Sequence, residues 1–141
     1  HTQFDGSTVL TNLDKTEANK QTVRDLIENV FMKGEMDKIA TFINPTNYIQ
    51  HNPSVPDGLD GLGNAMKMMA EQGMFMKYTK IYKVLGQGNF VLSMSEGTFG
   101  KDTPTAYYDL FRLEDGQVVE HWDVIAPIPA KSEWKNENGK F

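Results

Sequence analysis

The chain has no cysteine and only three histidines in 141 residues. Disulfides, thiolate catalysis and Cys-ligated zinc are therefore excluded, and the redox compartment stays open. With His1 in a polar, aperiodic arm, too few imidazoles remain for a closed zinc site. A His51–His121–carboxylate set is possible by arithmetic but has no supporting spacing, so neither a metal nor a cofactor is expected. No apolar run approaches the roughly 18 residues that span a bilayer, and no membrane partner is expected. Positive charge is also scarce. The formal net charge is −5 and the pI near 5.1, with no Lys/Arg run to neutralise phosphates, so no nucleic-acid partner is expected. G-x-G-x-x-G, Walker and G-x-S-x-G motifs are missing as well. What remains is an ordinary globular composition, 39% hydrophobic and 23% charged, of one-domain length. The chain begins at His1 rather than Met, which fits a tag remnant or a removed signal peptide. A cytoplasmic compartment is the default expectation, and a periplasmic or secreted one follows if a signal peptide was removed.

The hydrophobic period divides the chain. Residues 1–13 read as a flexible arm, 14–128 as the folded domain and 129–141 as a polar tail. Asp14 with Glu17 matches a capping box, and Val23, Leu26, Ile27, Val30 and Phe31 form a helical stripe closed by Gly34. A short second helix carries Met36, Ile39, Ala40 and Ile43 and ends before Pro45. Residues 52–61 read as a loop on Pro53, Pro56, Gly58 and Gly61. A third helix then carries Leu62, Ala65, Met66, Met69 and Ala70 as far as Gly73. Beyond Gly73 the period falls to two, with turns at Gly86-Gln87-Gly88, at 100–103 and around Gly116, giving four long strands in a meander. Helices followed by antiparallel strands make an α+β domain.

The last two strands hold the chemistry. A three-residue loop at Glu114-Asp115-Gly116 would set Asp109 opposite His121, Phe111 opposite Val119 and Tyr107 opposite Asp123. One face would then carry two carboxylates and an imidazole among aromatic and aliphatic residues, which suits a pocket wall better than a core. A two-residue turn at Asp115-Gly116 would instead put Asp109 opposite Trp122 and His121 on the other face. A carboxyl held in an apolar cavity is suited to donate a hydrogen bond or pass a proton, and a histidine beside it supplies an orienting partner. Arg112, three residues from Asp109, falls on the opposite face and is a poor partner for it.

Two motifs resemble those of the SnoaL-like polyketide cyclases in the nuclear transport factor 2-like superfamily. One is YIQHNP at Tyr48 to Pro53, followed by Gly58 and Gly61. The other is D-x-F-R-x-x-D-G-x-x-x-E-H-W-D from Asp109 to Asp123, and the likeness extends over about residues 16–128. The resemblance implies a cone-shaped α+β barrel, with three N-terminal helices against a strongly bent, mainly antiparallel sheet that encloses an apolar pocket. It also implies Asp109, His121 and Asp123 on the pocket side and His51 near its mouth as acid–base residues, without metal or cofactor. Phe31, Tyr48, Met66, Tyr107, Phe111 and Val119 are the expected ligand wall. Met66, Met68, Met69, Met74 and Met76 are read first as core and second as a flexible lining.

Two classes of function stay open at this point. The first is a cofactor-independent acid–base enzyme, performing aldol-type cyclisation or isomerisation on a small hydrophobic carbonyl compound. The second is a module without turnover, which binds a hydrophobic ligand or dimerises. Epoxide hydrolysis, which related folds perform with an Asp-Arg-Asp set, is a variant of the first that the face of Arg112 disfavours. Tyr108, Leu110, Trp122 and Val124 form an apolar stripe on the outer face, from which a homodimer across the sheet is expected.

Overall fold

The computed structural model describes residues 5–141, so the expectation of a flexible arm lies outside the description for His1 to Phe4. Helix α1, Thr16–Leu26, runs straight into a wider π-type segment, Ile27–Met32. Its stripe behaves as the spacing predicts. Val23, Leu26 and Ile27 are fully buried and Val30 nearly so, each gaining about 1.5–3 kcal/mol from leaving water. Gly34 ends it in the left-handed conformation. Asp14 does not cap it. Leu13–Lys15 forms a 3₁₀ turn instead, and the Thr16 hydroxyl donates to the Leu13 carbonyl.

The second helix is only a 3₁₀ turn, Met36–Lys38, and one α turn, α2 at Ile39–Phe42. Ile43 is buried beyond its end, where it bridges to Val118. Strand β1 is two residues long, Ile49–Gln50. Helix α3 starts earlier than the Gly/Pro pattern suggests and spans Gly58–Glu71, with Leu62 as its one buried residue. The strands β2 (Phe75–Gln87), β3 (Phe90–Gly100), β4 (Thr103–Glu114) and β5 (Gln117–Pro127) form the meander. The β2–β3 turn sits at Gly88-Asn89, two residues later than Gly86.

The sheet order is β1-β5-β4-β3-β2, with β1 parallel to β5 and the other pairs antiparallel. It is an open, bent sheet and not a closed barrel. Alternate residues of β3 and β4, Val91, Ser93, Ser95, Thr105, Tyr107, Asp109, Phe111 and Leu113, are buried on one face. β2 bends through two bulges, between Tyr78 and Lys80 and between Ile81 and Lys83. Gly97 lies opposite the first of them.

The β4–β5 hairpin resolves the register. Its turn has two residues, Asp115 and Gly116, both at positive φ as a type I′ turn requires. Continued regularly, that turn would expel His121 from the pocket face. A bulge after Arg112 leaves Val119 unpaired, and Arg112 pairs with Glu120, Phe111 with His121 and Asp109 with Asp123. The extra residue restores the face of the three-residue reading, displaced by two positions. Asp109 and His121 are thus diagonal neighbours on one face.

Residues 9–11 are not loose. Asn89 accepts from the Thr11 amide at 3.0 Å, donates to the Val9 carbonyl at 3.1 Å and sends its own amide to the Thr11 carbonyl. Asn89→Ala is therefore expected to free this segment, raising amide exchange at Thr11 and lowering stability by about 1–3 kcal/mol. Hydrogen exchange with a urea titration checks it. Exchange at Thr11 as slow as in the unaltered chain would show the segment is held elsewhere. The tail is likewise docked, with Phe141 stacked on Tyr82 at 4.4 Å and the Lys140 carbonyl accepting from the Tyr108 hydroxyl.

Candidate active site

A cavity of about 1100 Å³ lies between the sheet's inner face and the helices. Phe31, Ile43, Met66, Met69, Met76 and Phe111 supply apolar wall, and Tyr48, Gln50, Asn52, Asp109, His121 and Asp123 a polar patch. A second space of about 720 Å³ lies on the other side of Met66 and Met69, against Met36 and Ile39. Among the described residues it holds no comparable cluster.

Period two explains the polar patch. Asp109 on β4 and His121 and Asp123 on β5 share the inner face, and the two carboxylates are cross-strand partners. β1 pairs Gln50 with His121, and in this extended stretch Tyr48, Gln50 and Asn52 all reach the cavity. Asp109 is 1% exposed. The Tyr78 hydroxyl donates to its Oδ2 at 2.8 Å, and its Oδ1 meets His121 Nε2 at 2.8 Å. Phe111 stacks on the His121 ring at 4.9 Å.

The hydrogen bonds fix where protons can be. Gln50 Oε1 accepts from the Asn52 main-chain N–H at 3.0 Å, and Gln50 Nε2 donates to the Tyr48 hydroxyl at 2.8 Å, which sets the orientation of the Gln50 side-chain amide. His121 Nδ1, 3.0 Å from that same Oε1, must then carry a proton. One further proton lies between Nε2 and Asp109 Oδ1, on either partner, because the contact needs a donor. The pair is a proton store with a fixed tautomer at its far end. The Tyr48 hydroxyl, having accepted from Gln50, keeps its own proton to donate toward the cavity. Burial, and then the charges of Asp109 and Asp123, hold its phenol well above the ordinary range. Burial and then Asp109 do the same for Tyr78.

Asp123 is only partly buried, and the Asn52 side-chain Nδ2 donates to both of its oxygens at 3.1 Å. Burial raises its pKa, with the Asn52 bond pulling the other way. A carboxyl raised in the fold stabilises it while protonated, and that contribution is lost as pH rises through the folded value. Asp123→Asn is thus expected to gain stability relative to the unaltered chain between about pH 4 and pH 7. Urea midpoints at both ends of that range test this, and a constant difference would mean that Asp123 does not titrate abnormally. Asp109, His121 and Asp123 bring possible ligand atoms within 4.8 Å of one another. The Asp109 and His121 atoms already bond each other, Tyr78 and Gln50, so a cation would have to break that chain.

Other expected site residues lie elsewhere. His51 is on the outer face, with Nε2 2.8 Å from Glu120 Oε1 and its ring stacked on Trp122 at 4.6 Å. β1 runs extended, so His51 points opposite to Gln50 and not to the pocket mouth. Tyr107 is fully buried, stacked on Tyr78 and bonded to the Thr98 carbonyl, so it supports the wall from behind. Val119 is the bulged residue and is buried away from the cavity lining. Phe31, Tyr48, Met66 and Phe111 do line it. Gln50, Asn52 and Tyr78 complete the network without having been singled out by the sequence. The alternation in Y-I-Q-H-N is the signal that groups Gln50 and Asn52 with Tyr48.

No family sequence model matches the chain, and no curated protein sequence does. Its structure is similar to an NTF2-like protein of unknown function from Mesorhizobium loti (17% identity, 84% of this chain and 98% of that one, TM-score 0.63). It is also similar to the candidate polyketide cyclase IdmH of Streptomyces antibioticus (20% identity, 76% and 91%, TM-score 0.57). A third likeness is to an LEH-like epoxide hydrolase of M. tuberculosis (18% identity, 79% and 85%, TM-score 0.57). Identities this low carry the fold alone. The helices, the bent five-stranded sheet and these neighbours agree: this chain has the cone-like α+β fold of the nuclear transport factor 2-like proteins.

Proposed function

We propose that the chain is a cofactor-independent acid–base enzyme acting on a small hydrophobic carbonyl compound, by aldol-type cyclisation or isomerisation. The observation that carries this reading is the Asp109–His121–Gln50 chain, whose Asp109–His121 contact shares one proton beside the donating hydroxyl of Tyr48 at the floor of a large cavity. Asp109 takes the proton next to the substrate carbonyl, and Tyr48 donates to the oxygen that becomes enolate. The enolate carbon attacks a second carbonyl, or is reprotonated at another position, and the proton held by the Asp109–His121 pair returns to the product. Asp123 serves as the second acid.

Epoxide hydrolysis is less well supported, because the Arg112 guanidinium is on the outer face, 2.6 Å from Glu120 and from Glu114. The test is a screen of small cyclic and polyketide-like ketones in deuterated water, followed by NMR. Protein-dependent exchange at the position next to the carbonyl is the expected result. Ketones that bind without exchange or turnover would favour the alternative reading, a hydrophobic-ligand-binding module.

A two-fold homodimer across the outer face belongs to the same proposal. Val124 is 63% exposed there, beside Tyr108, Leu110 and Trp122. Phe141 over Tyr108 and Gly6 against Trp122 also rest on this face, and a partner has to be accommodated with them. Light scattering is expected to give about twice 15.9 kDa, and a single-chain mass at micromolar concentration would overturn it.

A further inference from the structure

We infer that His51 is a positioning residue, which with Glu120 and Arg112 clamps Gln50 onto His121 from the far side of the sheet. The inference rests on the reading of His121 as part of the acid–base pair. Gln50 holds the His121 tautomer, yet it sits on a strand of two residues. So short a ladder fixes a side chain poorly, and the carbonyl oxygen of Gln50 must stay within hydrogen-bond reach of His121 Nδ1 for the tautomer to be set. Additional bonds are therefore needed. They are the Asp57 carboxylate, which accepts from the Gln50 main-chain N–H at 2.8 Å, and the Asn52 main-chain N–H, which donates to Gln50 Oε1. Next along the chain, the His51 amide donates to the His121 carbonyl at 2.9 Å.

On the outer side the clamp is built around a buried carboxylate. Glu120, the neighbour of His121, is 2% exposed although it carries a carboxylate. Its Oε2 accepts from Arg112 Nε at 2.6 Å, and its Oε1 meets His51 Nε2 at 2.8 Å. An anion buried like this is tolerated only with partners in good geometry, and Arg112 and His51 are those partners. The His51 ring lies nearly parallel to Trp122, at 5° between planes. Gly6 closes the edge: a Cβ there would stand 2.7 Å from Trp122 Cζ2 and 3.3 Å from His51 Cε1. His51 and Gln50 are adjacent in an extended chain, as are Glu120 and His121. The outer pair His51–Glu120 and the inner pair Gln50–His121 therefore tie the same two strands back to back. Loosening the outer pair lets β1 slide or rotate, and Gln50 Oε1 leaves His121 Nδ1.

The test reads His121 directly and needs no substrate. Ring-nitrogen NMR of the full chain is expected to show a protonated, hydrogen-bonded Nδ1 at His121. His51→Phe keeps the stacking on Trp122 but loses the bond to Glu120. It should shift or broaden the His121 nitrogen resonances and abolish the protected Nδ1 proton. His51→Gln, which retains a donor for Glu120, should restore both. A folded His51→Phe chain with His121 resonances unchanged overturns the proposal and leaves His51 a merely structural residue. If His51→Phe does not fold, Glu120→Gln decides by the same reading, since it keeps the volume but loses the charge that Arg112 and His51 share. Because the resonances are read without turnover, an inactive chain with the expected shifts separates the failure of the enzymatic reading from the failure of the clamp.

Discussion

Asp109→Asn is expected to lower turnover of a ketone substrate by roughly 10²- to 10⁴-fold while changing ligand affinity little. The amide keeps the size and the acceptor that Tyr78 uses, and its NH₂ can donate to His121 Nε2. What it removes is the proton that moves between Oδ1 and Nε2, which leaves the imidazole in one fixed state. His121→Gln should cost less, because the base itself survives. The comparison requires a turned-over ketone from the screen. A passive binder would respond in affinity alone. A fully active Asp109→Asn chain would show that Asp109 is not the base, and the role would pass to Asp123, which faces the same cavity across the strand pair.

Gly97→Ala carries the largest expected effect on stability, a loss of about 3 kcal/mol or more. A Cβ at Gly97 would fall 1.9 Å from the Lys77 carbonyl oxygen and 2.9 Å from its carbon. These are backbone atoms that cannot rotate aside. The close approach exists because β2 bulges just after Tyr78, and that bend aims the Tyr78 hydroxyl at Asp109. Shape and site are thus coupled at this glycine, and a chain that did fold would be expected to lose the Tyr78–Asp109 bond. A urea midpoint with unchanged slope measures the loss. A change within about 0.5 kcal/mol would mean that the bend does not depend on Gly97.

How far the sequence is legible differs from element to element. The α1 stripe is plain, because the burial of Val23, Leu26, Ile27 and Val30 imposes a helical period that composition alone does not imitate. The four long strands are equally plain after Gly73. The hairpin is legible in parity but not in detail. Asp115-Gly116 announces a two-residue turn, whereas Val118-Val119 gives no local sign that one of two identical apolar residues will be left unpaired. His51 is placed at the pocket mouth by the resemblance alone, although the alternation that groups Tyr48, Gln50 and Asn52 already sets it on the opposite face. Glu120 hides for a different reason. A charged residue on an outer face reads as solvated, and only the convergence of Arg112 and His51, eight residues before it and sixty-nine residues before it, makes its burial possible. Phe141 is similar: an aromatic in a polar tail gives no hint of the tyrosines waiting for it on β2 and β4.

Helix α3 stands between the two cavities with Leu62 alone buried among its fourteen residues. Selection on packing therefore bears on the sheet far more heavily than on this helix. Substitutions at Ala65, Met68 or Met69 alter the shape of the cavity wall away from the buried core, against which Met66 is packed. On the proposed reading, the floor that would handle the proton and the roof that would face the ligand are free to diverge at different rates. Descendants of one ancestral chemistry could take up differently shaped molecules without first acquiring a stabilising mutation elsewhere.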